Sequence, residues 1–481
     1  MKKTNMLLSA FLLIFIGCGE SSIDNQLSTL ISNQNLKGDP SIGKTIPLLS
    51  DLKVQLGMKL FFTKSLGGDN DSACVTCHHP SLGGGDNLSL SIGVGAIDPD
   101  LLGTGRVHNS SSTNYDGFAP VPRNAPSTYN LALWDKSLFW DGRVESLTPI
   151  AGKNGSVGGI STPDSGFAVA DSRAGANLAV AQARFPVTSP EEMRGFIFES
   201  TSETEVVRTH LALRLSDSST SDYIMNTWQN EFTSIYGANS VNFENIVDAI
   251  GEYERSQLFV DTPWKNYVEG NSLAISDASK RGAVLFYTSY ENGGANCVSC
   301  HSGDFFTDEE FHVMAVPQVG HGKGNGITND DDFGRENVDS NSSHKYAFRT
   351  PTLLNIEMTG PWGHAGAYTS LRAMVKHMLN PDDSVENYDV LQLNSDVKIM
   401  NMMSNTKNAL TQLKSNRQTG LSIHQNVSFT DTQIDDLVTF LESLTDPCLK
   451  DKTCIGKWIP DNILGIDSLQ LNAVDNNGDL L

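Results

Sequence analysis

The sequence has few cations for its length and no long hydrophobic run beyond its first residues. Lys and Arg number 34 against 56 Asp and Glu, which gives a formal net charge of −22 over 481 residues. A surface this acidic disfavours nucleic acid and anionic lipid as partners. The shortage of apolar stretches excludes a membrane bundle. Between residues 191 and 270 helical stretches alternate with polar turns, and no run there shows the sustained alternation of a β-strand.

The one apolar run is N-terminal and reads MKKTNMLLSAFLLIFIGCGE. Two lysines precede an apolar core too short to span a bilayer, and Gly17-Cys18 forms a processing point. We therefore predict a signal peptide over 1–17 and export to the periplasm. The ending resembles a bacterial lipoprotein signal, in which Cys18 would carry lipid and provide the only membrane contact. An ordinary cleaved signal peptide is the alternative.

Cysteine is also scarce, with seven in the chain, yet four of them repeat one motif. CVTCHH occupies 74–79 and CVSCHS occupies 297–302. Two thiols followed by His at C-x-x-C-H spacing form a c-type haem attachment site. A zinc site or a redox dithiol would not explain the His after the second Cys in both copies. The expected haem sites are Cys74, Cys77 and His78, and Cys297, Cys300 and His301.

A similar helix precedes each motif. DLKVQLGMKLFFTKSL contains Gly57-x-x-Leu60 followed by two aromatic residues and Thr, and SDASKRGAVLFYTSY repeats this order from Gly282. Each Gly precedes its first haem Cys by a similar distance along the chain, which indicates an internal duplication. We predict a mostly α fold with two cytochrome c-like domains, each with one covalently attached c-type haem.

The expected organisation has five parts: a signal peptide at 1–17, a flexible polar tether at 18–45, an N-terminal haem domain at 46–272, a C-terminal haem domain at 273–447, and a tail at 448–481. Residues 151–189 are rich in Gly, Ser and Ala and are predicted to form a long loop. The acidic DDDFGREN at 330–337 is predicted to be a solvated turn. Cys448 and Cys454, which no haem uses, are expected to form a small disulfide loop in the tail.

A set of short segments in a fixed order resembles the bacterial di-haem cytochrome c peroxidases and the related enzymes that oxidise tryptophan in partner proteins. The resemblance covers roughly 50–447 and implies hydrogen peroxide as substrate. Reduction of peroxide takes two electrons, whereas a small donor protein such as a cytochrome c or a cupredoxin delivers one, so the second haem would be a reservoir. A homodimer is left open. The segments are LGMKLFF, CVTCHHPSLGGGD, RNAPSTYNLAL, FWDGRVESL, SPEEM, CVSCHSG, FRTPTLLNI, TGPWGHAG and FLESLTDP.

The resemblance also implies ligands for the two irons. His78 would be the proximal ligand of the first, peroxidatic haem, and His301 that of the second, electron-transfer haem. Met378 would be the distal ligand of the second haem, where a thioether raises the reduction potential. A core methionine is the alternative for Met378, and His377 is the rival ligand.

Two further roles follow from the resemblance. Glu192 in SPEEM would be the general acid and base that moves a proton between the peroxide oxygens, with Glu191 as its neighbour. Capping of a helix is the alternative for this Glu. Trp140 in FWDGR would carry electrons between the haems, with a core role as its alternative.

One departure concerns the loop SLSIGVGAID. Many family members have a His there that caps the first iron at rest and leaves on reduction, whereas this chain has Val94. We therefore expect a first haem that is open at rest. His79 and His108 are the candidate substitutes, and the polar insertion that contains His108 is expected to be mobile.

The resemblance further implies a calcium ion between the domains. Its ligands would be the side chain of Asn124 and the backbone carbonyls of Thr359 and Pro361, an oxygen set that suits a hard cation. Capping of a turn is the alternative for Asn124.

Two other functions remain open at this stage. The same haem pair would serve an oxidase that modifies Trp or Tyr of a partner protein, which an open first haem favours and Met378 disfavours. A non-catalytic electron-transfer cytochrome would have two six-coordinate irons.

Overall fold

Two helix pairs, one in each half of the chain, meet at glycines. The computed structural model describes residues 22–216, 227–461 and 466–481. A Cβ at Gly57 would lie 1.9 Å from the carbonyl oxygen of Ala249, and one at Gly282 would lie 1.9 Å from that of Asp436. Only glycine permits this approach of two helix backbones. The predicted duplication of a glycine-containing helix before each motif is therefore confirmed.

Helices dominate the described residues, and the strands are short. The strands form two antiparallel sheets, the first three along the chain in one sheet and the next two in the other. The helices are α1 Ser22–Asn33, α2 Leu52–Phe61, α3 Cys74–Cys77, α4 Leu178–Gln182, α5 Thr204–Ser216, α6 Trp228–Tyr236, α7 Phe243–Ser256, α8 Pro263–Val268, α9 Asp277–Tyr287, α10 Glu336–Asp339, α11 Leu371–Leu379, α12 Pro381–Glu386, α13 Met402–Thr419, α14 Asp431–Glu442 and α15 Lys452–Ile455. The strands are β1 Ser137–Leu138, β2 Val144–Ser146, β3 Ile160–Ser161, β4 Phe311–Val313 and β5 Ala347–Arg349.

Each helix pair lies in its own hydrophobic cluster. The cluster around α2 and α7 includes Phe61 and Tyr253, whose rings lie 5.1 Å apart. The cluster around α9 and α14 includes Phe286 and Phe440, also 5.1 Å apart. The mostly α expectation is confirmed. The boundary near residue 272 stays a prediction.

The predicted flexible tether at 18–45 is wrong for its described part, from Ser22 onward. Helix α1 places Leu27 fully in the second cluster, and Asp24 pairs with Lys280 at 2.7 Å. Further along, the backbone amide of Gly38 donates to Asp304. A few buried side chains therefore fix a segment whose composition is otherwise polar. The predicted signal peptide and Cys18 lie outside the described residues.

The C-terminal end packs on the first half of the molecule. The predicted disulfide between Cys448 and Cys454 is present. Beyond it, Leu471 belongs to the first cluster and its amide donates to the Phe62 carbonyl at 2.8 Å. The buried Asp467 carboxylate accepts hydrogen bonds from the side chains of Thr63, Ser65 and Trp228.

Two loop predictions need correction. Residues 151–189 contain β3 and the buried helix α4, and a Cβ at Gly251 on α7 would lie 2.7 Å from the Val180 amide of α4. The acidic turn at 330–337 is not solvated, because its three aspartates are buried and paired. Asp330 accepts from Asn401, Asp331 from Tyr346, and Asp332 from Arg123.

Among the described helices, none combines the length and the hydropathy that a membrane span requires.

Candidate functional site

The two C-x-x-C-H motifs present the same set of groups. The cysteines at 74, 77, 297 and 300 are free thiols and partly buried. The Nδ1 atoms of His78 and His301 each lie 3.1 Å from a backbone carbonyl, that of Gly84 or Phe306. This bond orients each ring and leaves Nε2 available for a metal. Burial lowers the pKa of both histidines, so both are neutral, as ligation requires.

A cavity of about 450 Å³ connects the two motifs. Its wall includes His78 of the first motif and Cys297, Cys300 and His301 of the second. The volume is within the range of cofactor pockets. The sequence therefore folds so that both histidines face one continuous space.

The cavity wall also carries buried polar atoms that have no protein partner. Among the described residues these are Nη1 of Arg349, Nε2 of His364 and Oε2 of Glu254. Burial lowers the pKa of Arg349 to about 10, which leaves it cationic at neutral pH, and its guanidinium lies 3.5 Å from the Trp134 ring centroid. A guanidinium with a free N–H on the cavity wall suits an anionic carboxylate such as a porphyrin propionate. The thiols, the histidines and this cation together fit a c-type haem.

The expected distal ligand of the second haem, Met378, lies on the wall of this cavity with His301, and Met374 lies there too. The rival His377 is fully buried and engaged at both ring nitrogens. Its Nδ1 lies 2.9 Å from the Tyr368 hydroxyl and its Nε2 lies 2.9 Å from the Met314 carbonyl. His377 is therefore not available to a metal.

Trp140 lies on the same wall, half-buried. Its indole Nε1 donates to the Asn124 carbonyl at 2.9 Å, and its own carbonyl accepts from the Arg349 amide at 2.8 Å. The indole is thus fixed beside the space that both histidines share.

Glu192 lies in a single π-helical turn, Pro190–Arg194, a distortion that often occurs at functional sites. Burial raises the pKa of its carboxyl group, while Arg143 and Lys323 act in the opposite direction. The turn lies against the segment that precedes the first motif, because the Gly68 amide donates to the Met193 carbonyl at 2.8 Å. The backbone amide of the buried Val94 donates to the Glu191 carbonyl at 3.3 Å, so the loop predicted to lack a capping His lies against this turn.

The insertion that contains His108 was expected to be mobile, and the structure contradicts this. His108 is 5 % exposed, its Nδ1 lies 3.0 Å from the Phe118 carbonyl, and it pairs with Ala96 in an antiparallel bridge. Its Nε2 is buried without a protein partner among the described residues. The Nε2 atom of His79 is also buried without a protein partner among the described residues, and the His79 ring packs on Phe62.

The three residues expected to bind calcium line the same cavity as Trp140: Asn124, Thr359 and Pro361. The Asn124 amide nitrogen donates to the carbonyls of Leu88 and Ser89. Its side-chain oxygen is the atom that a cation would use.

Sequence reasoning missed three buried charged residues near the site: Arg349, Glu254 and Arg106. Arg349 lies inside FRTPTLLNI and Glu254 inside a helical stretch. Nothing in either segment indicates that its charged side chain is buried. Arg106 lies in the insertion that was expected to be mobile. A buried charge has no sequence signal of its own, because its partners come from distant segments.

Comparison with known proteins agrees with this geometry. The family described as di-haem cytochrome c peroxidase matches residues 51–273. The methylamine utilization protein MauG of Methylorubrum extorquens is 27% identical over 337 residues, which cover 70% of this chain and 70% of that protein. The cytochrome c551 peroxidase of Pseudomonas aeruginosa is 25% identical over 347 residues, 70% of this chain and 77% of the relative.

Solved structures share the fold. The diheme peroxidase BthA of Burkholderia thailandensis superposes with a TM-score of 0.53 at 18% identity, over 91% of this chain and 93% of that one. A MauG-like protein associated with microbial copper homeostasis gives a TM-score of 0.53 at 18% identity, over 85% and 93%. The fold is that of a di-haem peroxidase.

Residues 51–273 thus match the di-haem cytochrome c peroxidase family, and the protein is an oxidoreductase.

Proposed function

We propose that this protein is an exported di-haem c-type peroxidase of the periplasm, reducing hydrogen peroxide to water with electrons from a small redox protein. The cavity that reaches from His78 to His301 past Trp140 is the observation that supports it best. The reaction H2O2 + 2 e⁻ + 2 H⁺ → 2 H2O breaks one O–O bond and consumes two electrons. When bound, the two haems supply the one-electron redox steps and an iron that accepts a peroxide oxygen.

Glu192 would be the catalytic acid and base. A carboxyl group whose pKa is raised by burial holds a proton at higher pH than an exposed one and releases it on demand. In this role the Glu192 carboxylate would take a proton from one peroxide oxygen, and the resulting carboxyl group would give it to the other oxygen as the O–O bond breaks. Trp140, fixed by Asn124, would pass electrons across the cavity.

The remaining parts of the proposal concern ligands and placement. Met378 would be the second ligand of the second haem, because His377 is engaged at both nitrogens. A calcium ion would bind at Asn124, Thr359 and Pro361. Lipid on Cys18 would be the only membrane contact, and the donor would be a cytochrome c or a cupredoxin.

The test uses the holoenzyme, hydrogen peroxide and a reduced small cytochrome c. We expect turnover, and we expect Glu192→Gln to lower kcat/KM on the order of 10²–10⁴-fold. Glu191→Gln is the matched neighbour and is expected to leave kcat/KM within about twofold. Absence of turnover in the wild type would support an electron-transfer cytochrome instead.

A second measurement concerns the resting state. With Val94 in place of a capping His, we expect the oxidised holoenzyme to show a high-spin ferric EPR signal beside a low-spin one. Two low-spin signals would mean that another group, His79 or His108, ligates the first iron.

A second candidate function is oxidation of a Trp or Tyr in a partner protein. The similarity to proteins named MauG favours it. Peroxide-dependent modification of a partner, without oxidation of a small donor, would support this alternative over the peroxidase.

A further inference from the structure

One buried arginine from the insertion binds the loop that precedes it. Arg106 is 4 % exposed. Its Nε donates to the Ile92 carbonyl at 2.7 Å and its Nη2 donates to the Gly93 carbonyl at 2.9 Å. Its Nη1 donates to the carbonyls of Asp98, Pro99 and Leu101 at 3.2, 3.1 and 2.8 Å.

The loop at 92–101 therefore gives five carbonyl oxygens to one guanidinium. A charged donor makes stronger hydrogen bonds than a neutral one. A lysine would bring only three donors at one point, whereas the planar guanidinium reaches carbonyls on both branches of the loop.

The same loop packs directly on the turn that carries Glu192. A Cβ at Gly93 would lie 2.4 Å from the Glu192 carbonyl oxygen and 2.5 Å from that of Glu191. The Val94 amide donates to the Glu191 carbonyl. The two backbones touch, so a shift of the loop also shifts Glu192.

Contacts on the other side of the loop restrain it further. The Gly95 amide donates to the Asp71 carboxylate at 2.7 Å. The Ile97 amide donates to the Val107 carbonyl at 2.9 Å, and the Asn109 amide donates to the Gly95 carbonyl at 2.8 Å. The insertion thus holds the loop at 92–101 in place through hydrogen bonds, most of which come from Arg106.

We propose that Arg106 is a positioning residue for the peroxide reaction. It holds loop 92–101 in one conformation against Pro190–Arg194, so that Glu192 is in place in the oxidised resting protein and no loop movement precedes turnover. The Met193 carbonyl of the same turn accepts a hydrogen bond from the Gly68 amide at 2.8 Å, just before the first haem motif in the chain. The inference rests on the proposed role of Glu192.

The first test measures amide hydrogen exchange in the holoenzyme. We expect Arg106→Gln to accelerate exchange at Val94, Gly95 and Ile97, and Arg106→Lys to give a smaller acceleration. The matched control is Arg208→Gln, since Arg208 is equally buried but bonds to Asp164 and the Arg184 carbonyl. Unchanged exchange in Arg106→Gln, or the same change in the control, would overturn the proposal.

The second test is a double-mutant cycle on kcat/KM for peroxide. Arg106→Gln is expected to lower kcat/KM on the order of 10²-fold, the cost of a misplaced catalytic group. In the Glu192→Gln background it should cost little more, because nothing is left to position. Arg106→Lys should recover part of the loss.

The outcomes separate the two hypotheses. If the losses from Arg106→Gln and Glu192→Gln multiply, the positioning role is wrong. If Glu192→Gln alone leaves kcat/KM unchanged, the proposed acid is wrong, while the exchange data still decide whether Arg106 holds the loop.

Discussion

One buried carboxyl group on the cavity wall, that of Glu254, has a strongly raised pKa. Glu254 is 4 % exposed on α7, its Oε2 has no hydrogen-bond partner in the described part of the chain, and burial raises its pKa to about 8. The usual pKa of Glu is about 4.3. Between these values the folded protein binds a proton that the unfolded chain does not. The stability contributed by this proton is complete below about pH 4 and is lost as the pH rises through about 8.

We predict that Glu254→Gln makes the stability of the holoenzyme less dependent on pH. From pH 6 to pH 9 the wild type should lose about 2–3 kcal/mol of unfolding free energy through this group, and the variant should not. Urea unfolding at the two pH values measures the difference. Glu244→Gln, an exposed position on the same helix, should behave as the wild type does. Equal losses in all three proteins would contradict the assignment.

Arg123 is a second residue on which several buried groups depend. It is 7 % exposed and pairs with Asp141 at 2.5 Å and with Asp332 at 2.6 Å. Because Arg123 attracts both carboxylates, the pKa values of Asp141 and Asp332 are lowered. This one side chain joins the chain near residue 123 to the acidic turn of the second half.

We expect Arg123→Ala to destabilise the protein by about 3–5 kcal/mol, because it leaves two buried carboxylates without a counter-charge. Chemical denaturation at neutral pH measures this. The comparison variant is Arg173→Ala, which removes an exposed ion pair with Glu205 and should cost about 0–1 kcal/mol. If both variants lose only about 0–1 kcal/mol of unfolding free energy, water must reach the carboxylates of Asp141 and Asp332.

At the level of elements, the two helix pairs depend on the absence of a side chain at one position each. Gly57→Ala and Gly282→Ala should each destabilise the protein by about 1–3 kcal/mol, since the added methyl group meets a carbonyl oxygen of the facing helix. Thermal unfolding monitored by circular dichroism measures the loss. Gly456→Ala is the control, because a Cβ there meets nothing within 4 Å and φ is −59°. If both variants unfold at the wild-type temperature, the two helices of each pair can move apart without loss of stability.

These elements show where sequence reasoning succeeded and where it failed. The spacing from Gly57 and Gly282 predicted both helices, because the repeat is local in the chain. The tether was wrong because Leu27 is too isolated an apolar residue to reveal that its segment docks. The acidic turn was misread because the partner of Asp332 lies about 200 residues away, at Arg123.

On the scale of the whole molecule, each end of the described chain lies on the half that is more distant in sequence. Helix α1 packs with α9 of the second half, and the residues around Leu471 complete the core of the first. Neither half therefore contains all of its own hydrophobic core. A cut at residue 272 would leave both pieces incomplete.

We predict that deletion of 466–481 weakens the first half more than the second. Thr63 and Ser65 lose the Asp467 carboxylate, and the first cluster loses Leu471 and Ala473. Hydrogen exchange should accelerate in α2 while α14 stays protected, because α14 has no contact with the deleted segment in its core. Leu480→Ala, at an exposed position of the same segment, serves as the control and should leave α2 protected. Equal exchange in both helices would mean that the two halves unfold together.

The crossed ends also constrain the order in which the protein can mature. A chain made from its N-terminus presents α1 long before α9 exists, so the first helix has to wait for a partner made more than 240 residues later. The first motif likewise precedes the C-terminal segment at 466–481, which completes the core of its own half. Until residues 466–481 are available, the first cluster lacks Leu471 and Ala473, so the first half completes its core only when the whole chain has been made.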